Sequence, residues 1–371
     1  MSEVLSLLST IEDPRDQKKI IYPLSTLLFM SICAIFCGAE SWDDIAMFSQ
    51  SRRDWLSKHI DLSKGIPYYS TFRRVFSVIS PTVWSTLVEG TLGLVIKERV
   101  PEDHIPIDGK TLRGTRCESK GIRAIQMVSA WSFSNKLVLA DVTTDRKSNE
   151  IKAIPLLLDL LELEGCTVSI DAMGCQEKII KAIINKGGDF VIGLKKNHPS
   201  LYKTVVDYSK KYGEISANLI EDKFDNSHGR SVRRRYFSFP LPESSKPFSF
   251  DGIKTIIAIE TISSQNNKPG STTAEWRYYV SSHEIDNSKL ASYVRNHWSI
   301  ESEYHWELDV HLHDDADKKH DANAATNFAK TKRLLLSLVK SKLPEGKKRS
   351  VRSRLKQVGW DLDYLLLLLA L

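Results

Sequence analysis

The chain has 371 residues, 42% hydrophobic and 26% charged, which excludes a disordered or collagenous protein and allows two or three parts around at least one large core. The formal net charge of +6 is compatible with an anionic partner without demanding one. Five scattered cysteines (Cys33, Cys37, Cys117, Cys166, Cys175) form no CxxC pair and no disulfide-like framework, and no basic segment followed by an apolar core opens the chain, so a cytoplasmic location is expected.

Residues 1–100 are predicted to be helical. Tyr22 to Ala39 is the only long apolar run, but Pro23, Ser25, Thr26, Ser31 and Gly38 interrupt it, so a buried core helix is expected and no membrane span. Ser41 is positioned to cap a helix through Phe48. Ser70 or Thr71 can cap another, which carries Phe72, Arg73, Arg74, Val75 and Phe76. A short helix with exposed arginines resembles the second helix of a helix-turn-helix, and a surface helix with solvated arginines fits equally well.

From about residue 101 the period changes. Ile105 to Asp108, Ala124 to Phe133 and Lys136 to Thr143 are strand-like. Asp108-Gly109, taken alone, is a hairpin-turn signal. A helix is predicted from Asn149 or Glu150 to Leu163, then a strand over Thr167 to Asp171, a helix over Gln176 to Asn185 and a strand over Asp189 to Leu194. This order predicts an α/β fold with a mixed sheet and helices on both faces. Residues of about 215–283 return to strand-like runs at Arg235 to Phe239, Lys254 to Thr261 and Ala274 to Ser281, as a β-rich insertion. The cluster Arg230, Arg233, Arg234 and Arg235 at its start is either a solvated face or a phosphate-tracking surface. Ile285 to Trp306 reads as one helix and Asn323 to Lys342 as another. A basic link from about 344, with Lys347 and Lys348, leads to a terminal core helix.

Asp108 and Asp171 both end apolar strands that would be neighbours, and strand ends of open sheets are where ligands collect. Two such carboxylates repel unless protonated or bridged by a cation, which suggests a divalent metal. A third carboxylate would complete a two-metal site. Glu301 is the candidate, with Asp309, Asp314 and Asp315 as rivals. His305, His311, His313 and His320 lack thiolates or a recognisable ligand spacing, which argues against zinc. Lys195 and Lys196, with Asn197, follow a strand pointing the same way as Asp171 and are either phosphate contacts or an ordinary loop. The absence of a GxGxxG or Walker loop argues against a nucleotide cofactor, and no Ser-His-Asp or Cys-His nucleophile motif is identifiable.

Several motifs occur in order: Asp13-Pro14-Arg15, Thr71-Phe72-Arg73-Arg74, Ile107-Asp108-Gly109-Lys110-Thr111, Lys147-Ser148-Asn149-Glu150, Ile170-Asp171-Ala172-Met173-Gly174-Cys175-Gln176 and His297-Trp298-Ser299-Ile300-Glu301. Together they resemble DDE-type insertion-sequence transposases, in the branch of the H-repeat-associated proteins of Rhs elements. The resemblance implies an RNase H-like catalytic domain over 101–343, interrupted by the insertion. It also implies an accompanying helical domain over 1–100 and a basic link with a C-terminal helix over 344–371. Asp108, Asp171 and Glu301 would hold Mg²⁺, as two ions, with Mn²⁺ as a substitute. The implied reactions are cleavage at transposon ends and attack of the freed 3′-hydroxyl on target DNA. The partner is double-stranded DNA, and pairing of two ends makes a homodimer reasonable.

Related transposases place Arg four residues before the glutamate and Lys seven after it, where this chain has His297 and Leu308. Arg295 and His305 are the candidate substitutes. The expected DNA contacts are Lys110, Arg73, Arg74, Lys195, Lys196, Arg230, Arg233, Arg234, Arg295 and His297. Two other readings stay open: a catalytically silent DNA-binding relic, and a metal-dependent nuclease without strand transfer.

Overall fold

The computed structural model describes residues 3–94, 100–144, 150–212, 218–221, 230–248, 250–265, 272–341 and 349–369. Lys147-Ser148-Asn149, Lys347 and Lys348 lie outside them.

The leading helices are α1 (Glu3–Ser9), α2 (Leu24–Phe36), α3 (Trp42–Ser51), α4 (Arg53–Leu56), α5 (Tyr69–Val78) and α6 (Pro81–Gly93). Every residue of α2 except Ser25 is buried, as its all-round apolar sequence requires. Ser41 caps α3 through a capping box with Asp44. The start of α5 departs from the expectation: its cap is Tyr68, which makes no side-chain bond, and Ser70 and Thr71 lie inside its first turn.

This segment does not close its own core. Its cluster continues into α12 (Ala322–Ser341), α13 (Val351–Trp360) and α14 (Leu362–Leu368) through Phe328, Leu335, Val358 and Leu365. Polar contacts fix the seam. Asn327, fully buried in α12, donates from Nδ2 to the carbonyls of Phe76 and Ile79 at 3.0 and 2.9 Å, and Trp84 Nε1 donates to Thr331 Oγ1 at 3.2 Å.

Nine strands form one mixed sheet among the described residues. Their order is β3 (Leu137–Thr144), β2 (Ile125–Ser132), β1 (His104–Leu112), β4 (Thr167–Ile170), β5 (Asp189–Leu194), β9 (Thr273–Ser281), β8 (Thr255–Gln265), β7 (Arg230–Pro240) and β6 (Asn218–Glu221). The three central strands β1, β4 and β5 run parallel, and every other pairing is antiparallel. An antiparallel β3-β2-β1 meander continued by parallel β4 and β5 is the RNase H-like order. The β-rich stretch forms no separate layer, because β9 pairs antiparallel with β5 and carries the sheet onward.

Helices cover both faces. On one, α7 (Glu150–Asp159) and α8 (Glu177–Asn185) bury Ile154, Leu157, Ile179 and Ile183 against Ile105, Ile107, Val168 and Ile170, with α9 (Pro199–Tyr212) beside them. On the other, α10 (Leu290–His297) packs on Val191 and Tyr279.

Two elements differ from the sequence reading. Asp108-Gly109 is not a turn: β1 continues to Leu112, with Gly109 opposite Val128 in regular register. The ladder with β2 overrides the local turn propensity. The helix expected over Ile285 to Trp306 starts at Leu290, after a turn closed by Asn287 N–H on the Glu284 carbonyl. It then widens into a π-helical turn over Ile300–His305 before α11 (Trp306–Leu312). No described helix is long and apolar enough to cross a membrane.

Candidate active site

The last paired row of parallel strands β1 and β4 sets Ile107 opposite Ile170. The next residue of each chain is an acid, so register alone brings Asp108 and Asp171 to the same end of the sheet. Asp171 also caps the short turn Ala172–Gly174, accepting from the Met173 N–H at 2.9 Å. Glu301 arrives from the π-helical turn, where buried Ile300 and Tyr304 anchor the inner side and Glu301 stays exposed. The three carboxylates line one cleft of about 630 Å³ with Lys195, Lys196, Trp276, Arg277, Tyr279, His297 and Trp298. A π-turn at such a place is a common feature of functional sites, since it re-aims one side chain without ending the helix.

Burial, together with the charges of Glu301, Asp171 and Glu150, pushes the Asp108 carboxyl up to about 7 against a stabilising hydrogen bond from the Gly109 N–H. His305 Nδ1 lies 3.5 Å from Asp108 Oδ2. Burial, with Lys110 and Arg333 adding to it, drops His305 to about 3, so the ring is neutral. A cleft wall of mutually repelling carboxylates fits a divalent cation, whose charge relieves that repulsion. Among the described residues no group of three or more His, Cys, Asp or Glu side chains is arranged to hold a metal ion unaided.

The rival acids are occupied. Lys110 Nζ bonds Asp309 Oδ2 at 2.7 Å and Asp315 Oδ1 at 3.2 Å, and Arg333 Nη2 bonds Asp314 Oδ2 at 3.0 Å with both side chains 1% exposed. None of the three lines the cleft. The histidines are dispersed as well: His311 lies 3.2 Å from Glu307, His313 2.6 Å from Glu40 and His320 3.2 Å from the Thr115 carbonyl.

Several expected DNA contacts need correction. Lys110 is buried and engaged by two carboxylates, so it braces the Asp309–Asp315 segment and has no charge to offer DNA. His297 reaches the cleft but is buried, and burial lowers it to about 4, so it carries no charge. Leu308, at the position of the family's lysine, is fully buried. The arginine cluster is split by the pleat, since Arg233 and Arg234 alternate across the sheet and Arg235 is taken by Glu260 at 2.6 Å, while Arg230 opens β7. Arg295 is exposed on α10 but does not line the cleft. Lys195 and Lys196 are exposed at the cleft, with Asn197 Nδ2 tying their loop to the Ala172 carbonyl at 2.8 Å. Arg73 and Arg74 are exposed on α5, opposite its buried Phe72, Val75 and Phe76.

Sequence reasoning named Glu150 in a motif without giving it a place in the site, and passed over Trp276, Arg277 and Tyr279. Glu150 is buried with its carboxyl against Gly109, where a Cβ would meet Glu150 Cδ at 2.8 Å. A glycine directly after a strand acid was the available signal for that. The β9 residues had none, because only the pairing of β9 with β5 brings them to the acids.

Residues 99–338 match the family described as Transposase DDE domain, and residues 5–88 match DDE_Tnp_1-associated. The chain belongs to the DDE transposase family. Its relatives include the H repeat-associated putative transposases YhhI and YbfD of Escherichia coli strain K12. YhhI is 32% identical over 379 residues, covering 100% of this chain and 98% of the relative, and YbfD is 34% identical over 258 residues, covering 68% and 99%. The chain thus falls in the H-repeat-associated branch of this transposase family. A piggyBac transposase synaptic complex with hairpin DNA is a looser structural match, with TM-score 0.45, 12% identity and coverage of 100% of this chain and 79% of that one. DDE transposases as a family act on DNA and depend on a divalent metal.

Proposed function

We propose that this protein is a DNA transposase that cleaves transposon ends and joins the freed 3′-hydroxyl to target DNA, with Asp108, Asp171 and Glu301 as its catalytic acids. The observation that carries this reading is their convergence on one cleft from the end of the parallel β1–β4 pairing and a π-helical turn.

In this reading Asp108 and Asp171 hold divalent cations, Mg²⁺ or Mn²⁺, from the sheet, and Glu301 holds them from the helical side. The bound ions would activate the attacking oxygen and stabilise the leaving oxygen. The chain's own residues set the geometry. Met173 N–H fixes one oxygen of Asp171, and His305 Nδ1 stands 3.5 Å from Asp108 Oδ2. Lys195 and Lys196 attract the DNA backbone to the cleft mouth. In the first step a water oxygen displaces the 3′-oxygen at a transposon end, and in the second that 3′-hydroxyl displaces a 3′-oxygen of target DNA, so the number of phosphodiester bonds is conserved in the transfer.

The helical segment over 1–100 is proposed to bind DNA through Arg73 and Arg74, and two protomers to pair the two ends in the bacterial cytoplasm. The catalytic part is assigned to 101–343. Strand joining is the direct test: the protein is given ends already cut to expose a 3′-hydroxyl, with plasmid as target and Mg²⁺. Joined products are expected. Cutting of intact ends without joining would favour a nuclease, and DNA binding without either would favour a silent relic.

A further inference from the structure

This inference rests on the transposase reading and concerns how DNA is held beside the acids. The two positions where related transposases carry an arginine and a lysine are both core positions here: His297 is buried and neutral, and Leu308 is fully buried. A DNA phosphate drawn to the metal-binding acids is positioned by a side-chain cation beside them, and neither of those two positions supplies one.

Arg277 stands on the wall of the same cleft, on β9. Its guanidinium lies 5.3 Å from the centroid of the Trp298 ring. Tyr279, on the same face of β9, is buried and its hydroxyl interacts with both Arg277 and Trp298. Glu275, also on that face, accepts from Arg277 Nε at 3.1 Å and Nη2 at 3.3 Å. Glu275 and Arg277 side chains are 62% and 44% exposed, so the pair is a surface ion pair of little net stability that a phosphate can replace. The indole face holds the cation without using an N–H donor, so the N–H groups now on Glu275 can turn to a bidentate phosphate.

We propose that Arg277, held over Trp298, is a phosphate-binding residue of the catalytic cleft, supplied by the sheet extension in place of the cation missing from the Glu301 helix. Trp298 stands three residues before Glu301, so the contact ties the DNA backbone to the element that carries the third acid. The stretch that extends the sheet thereby contributes directly to the site.

The test uses the full chain and a labelled duplex carrying the sequence that flanks the gene, with affinity measured across a salt series. Arg277→Ala is expected to weaken binding and to reduce the slope of log K against log salt by about 1. Arg277→Lys should restore that slope yet leave cleavage depressed, because lysine keeps the charge and loses the fork. Trp298→Leu should lower cleavage with the slope unchanged. The rise in Tm on adding Mn²⁺ should be the same in Arg277→Ala as in the unmodified protein, which separates a lost DNA contact from a damaged acid site. An Arg277→Ala protein that matches the unmodified one in affinity and slope overturns the proposal while leaving the transposase reading intact. Failure of the unmodified protein to bind DNA at any salt overturns both.

Discussion

Asp108 and Asp171 occupy equivalent places one residue beyond the last paired row of two parallel strands, so their carboxylates share one end of the sheet. Their repulsion, with that of Glu301, makes the protein a better host for a divalent cation folded than unfolded. Mg²⁺ or Mn²⁺ should therefore raise Tm by mass action, by about 1–2 °C for a stabilisation of about 1 kcal/mol, given an unfolding entropy of about 2.1 cal/mol/K per residue. Scanning calorimetry with and without EDTA checks this, and Asp108→Asn should remove most of the rise.

A second relationship sets the response to acid. Ser169 Oγ lies 2.8 Å from His104 Nε2 and 2.9 Å from His297 Nδ1, all on the buried side of the sheet. A single hydroxyl can accept from one ring and donate to the other only if the ring it donates to is neutral. Burial, with the unfavourable neighbourhood of a second imidazole at His297, lowers His104 to about 3, and burial lowers His297 to about 4. Because these folded values lie below the ordinary value of about 6.5, the unfolded chain binds more protons in between. Stability is thus complete above about pH 6.5 and is lost as pH falls from there toward 4, by up to about 1.4 kcal/mol per pH unit per histidine. Urea unfolding across that window should show the fall, and His104→Gln should flatten it.

Lys110 looked like a phosphate ligand in the sequence and is a brace in the structure. Lys110→Met leaves Asp309 without its cation and Asp315 with Arg113 alone. Both acids are partly exposed, so the expected loss is about 2–3 kcal/mol, at or below the lower end for a broken buried pair. Chemical denaturation gives that figure. The salt slope of DNA binding should stay unchanged, and a slope lowered in the variant would return Lys110 to the DNA contacts.

Gly109 is required by its neighbour and not by its backbone angle. An added methyl would meet the Glu150 carboxyl at 2.8 Å, so Gly109→Ala must displace a buried acid. The expected cost is about 1–3 kcal/mol. In a Glu150→Ala background the same substitution should cost clearly less, and a double-mutant cycle measures that coupling.

The residues of the cleft were only partly readable from the sequence. Asp108 and Asp171 were legible because apolar runs that end in an acid mark parallel strand ends, and Glu301 because it closes a motif on a helical stretch. What could not be read was set by pairing between distant segments. Nothing local in Thr273–Ser281 says that this strand joins β5, yet that pairing places Arg277 and Tyr279 at the acids. Local reading also cannot tell a free cation from a paired one: Lys110 and the arginines of β7 looked alike as basic residues, and the partners that distinguish them lie up to 205 residues away. The turn expected at Asp108-Gly109 failed for the same reason, since the long ladder with β2 outweighs a dipeptide preference.

The account turns on three carboxylates acting together in one cleft. The most direct measurement is cleavage of a duplex carrying the gene's flanking sequence, in Mg²⁺ and in EDTA, by the unmodified protein, Asp171→Ala, Glu301→Gln and Asp309→Asn. The account predicts metal-dependent cuts by the unmodified protein and by Asp309→Asn, and a loss of about 10³-fold or more in Asp171→Ala and Glu301→Gln, as expected when charge stabilisation of the transition state is removed. Cuts that persist in Asp171→Ala or Glu301→Gln, or that survive EDTA, would contradict it.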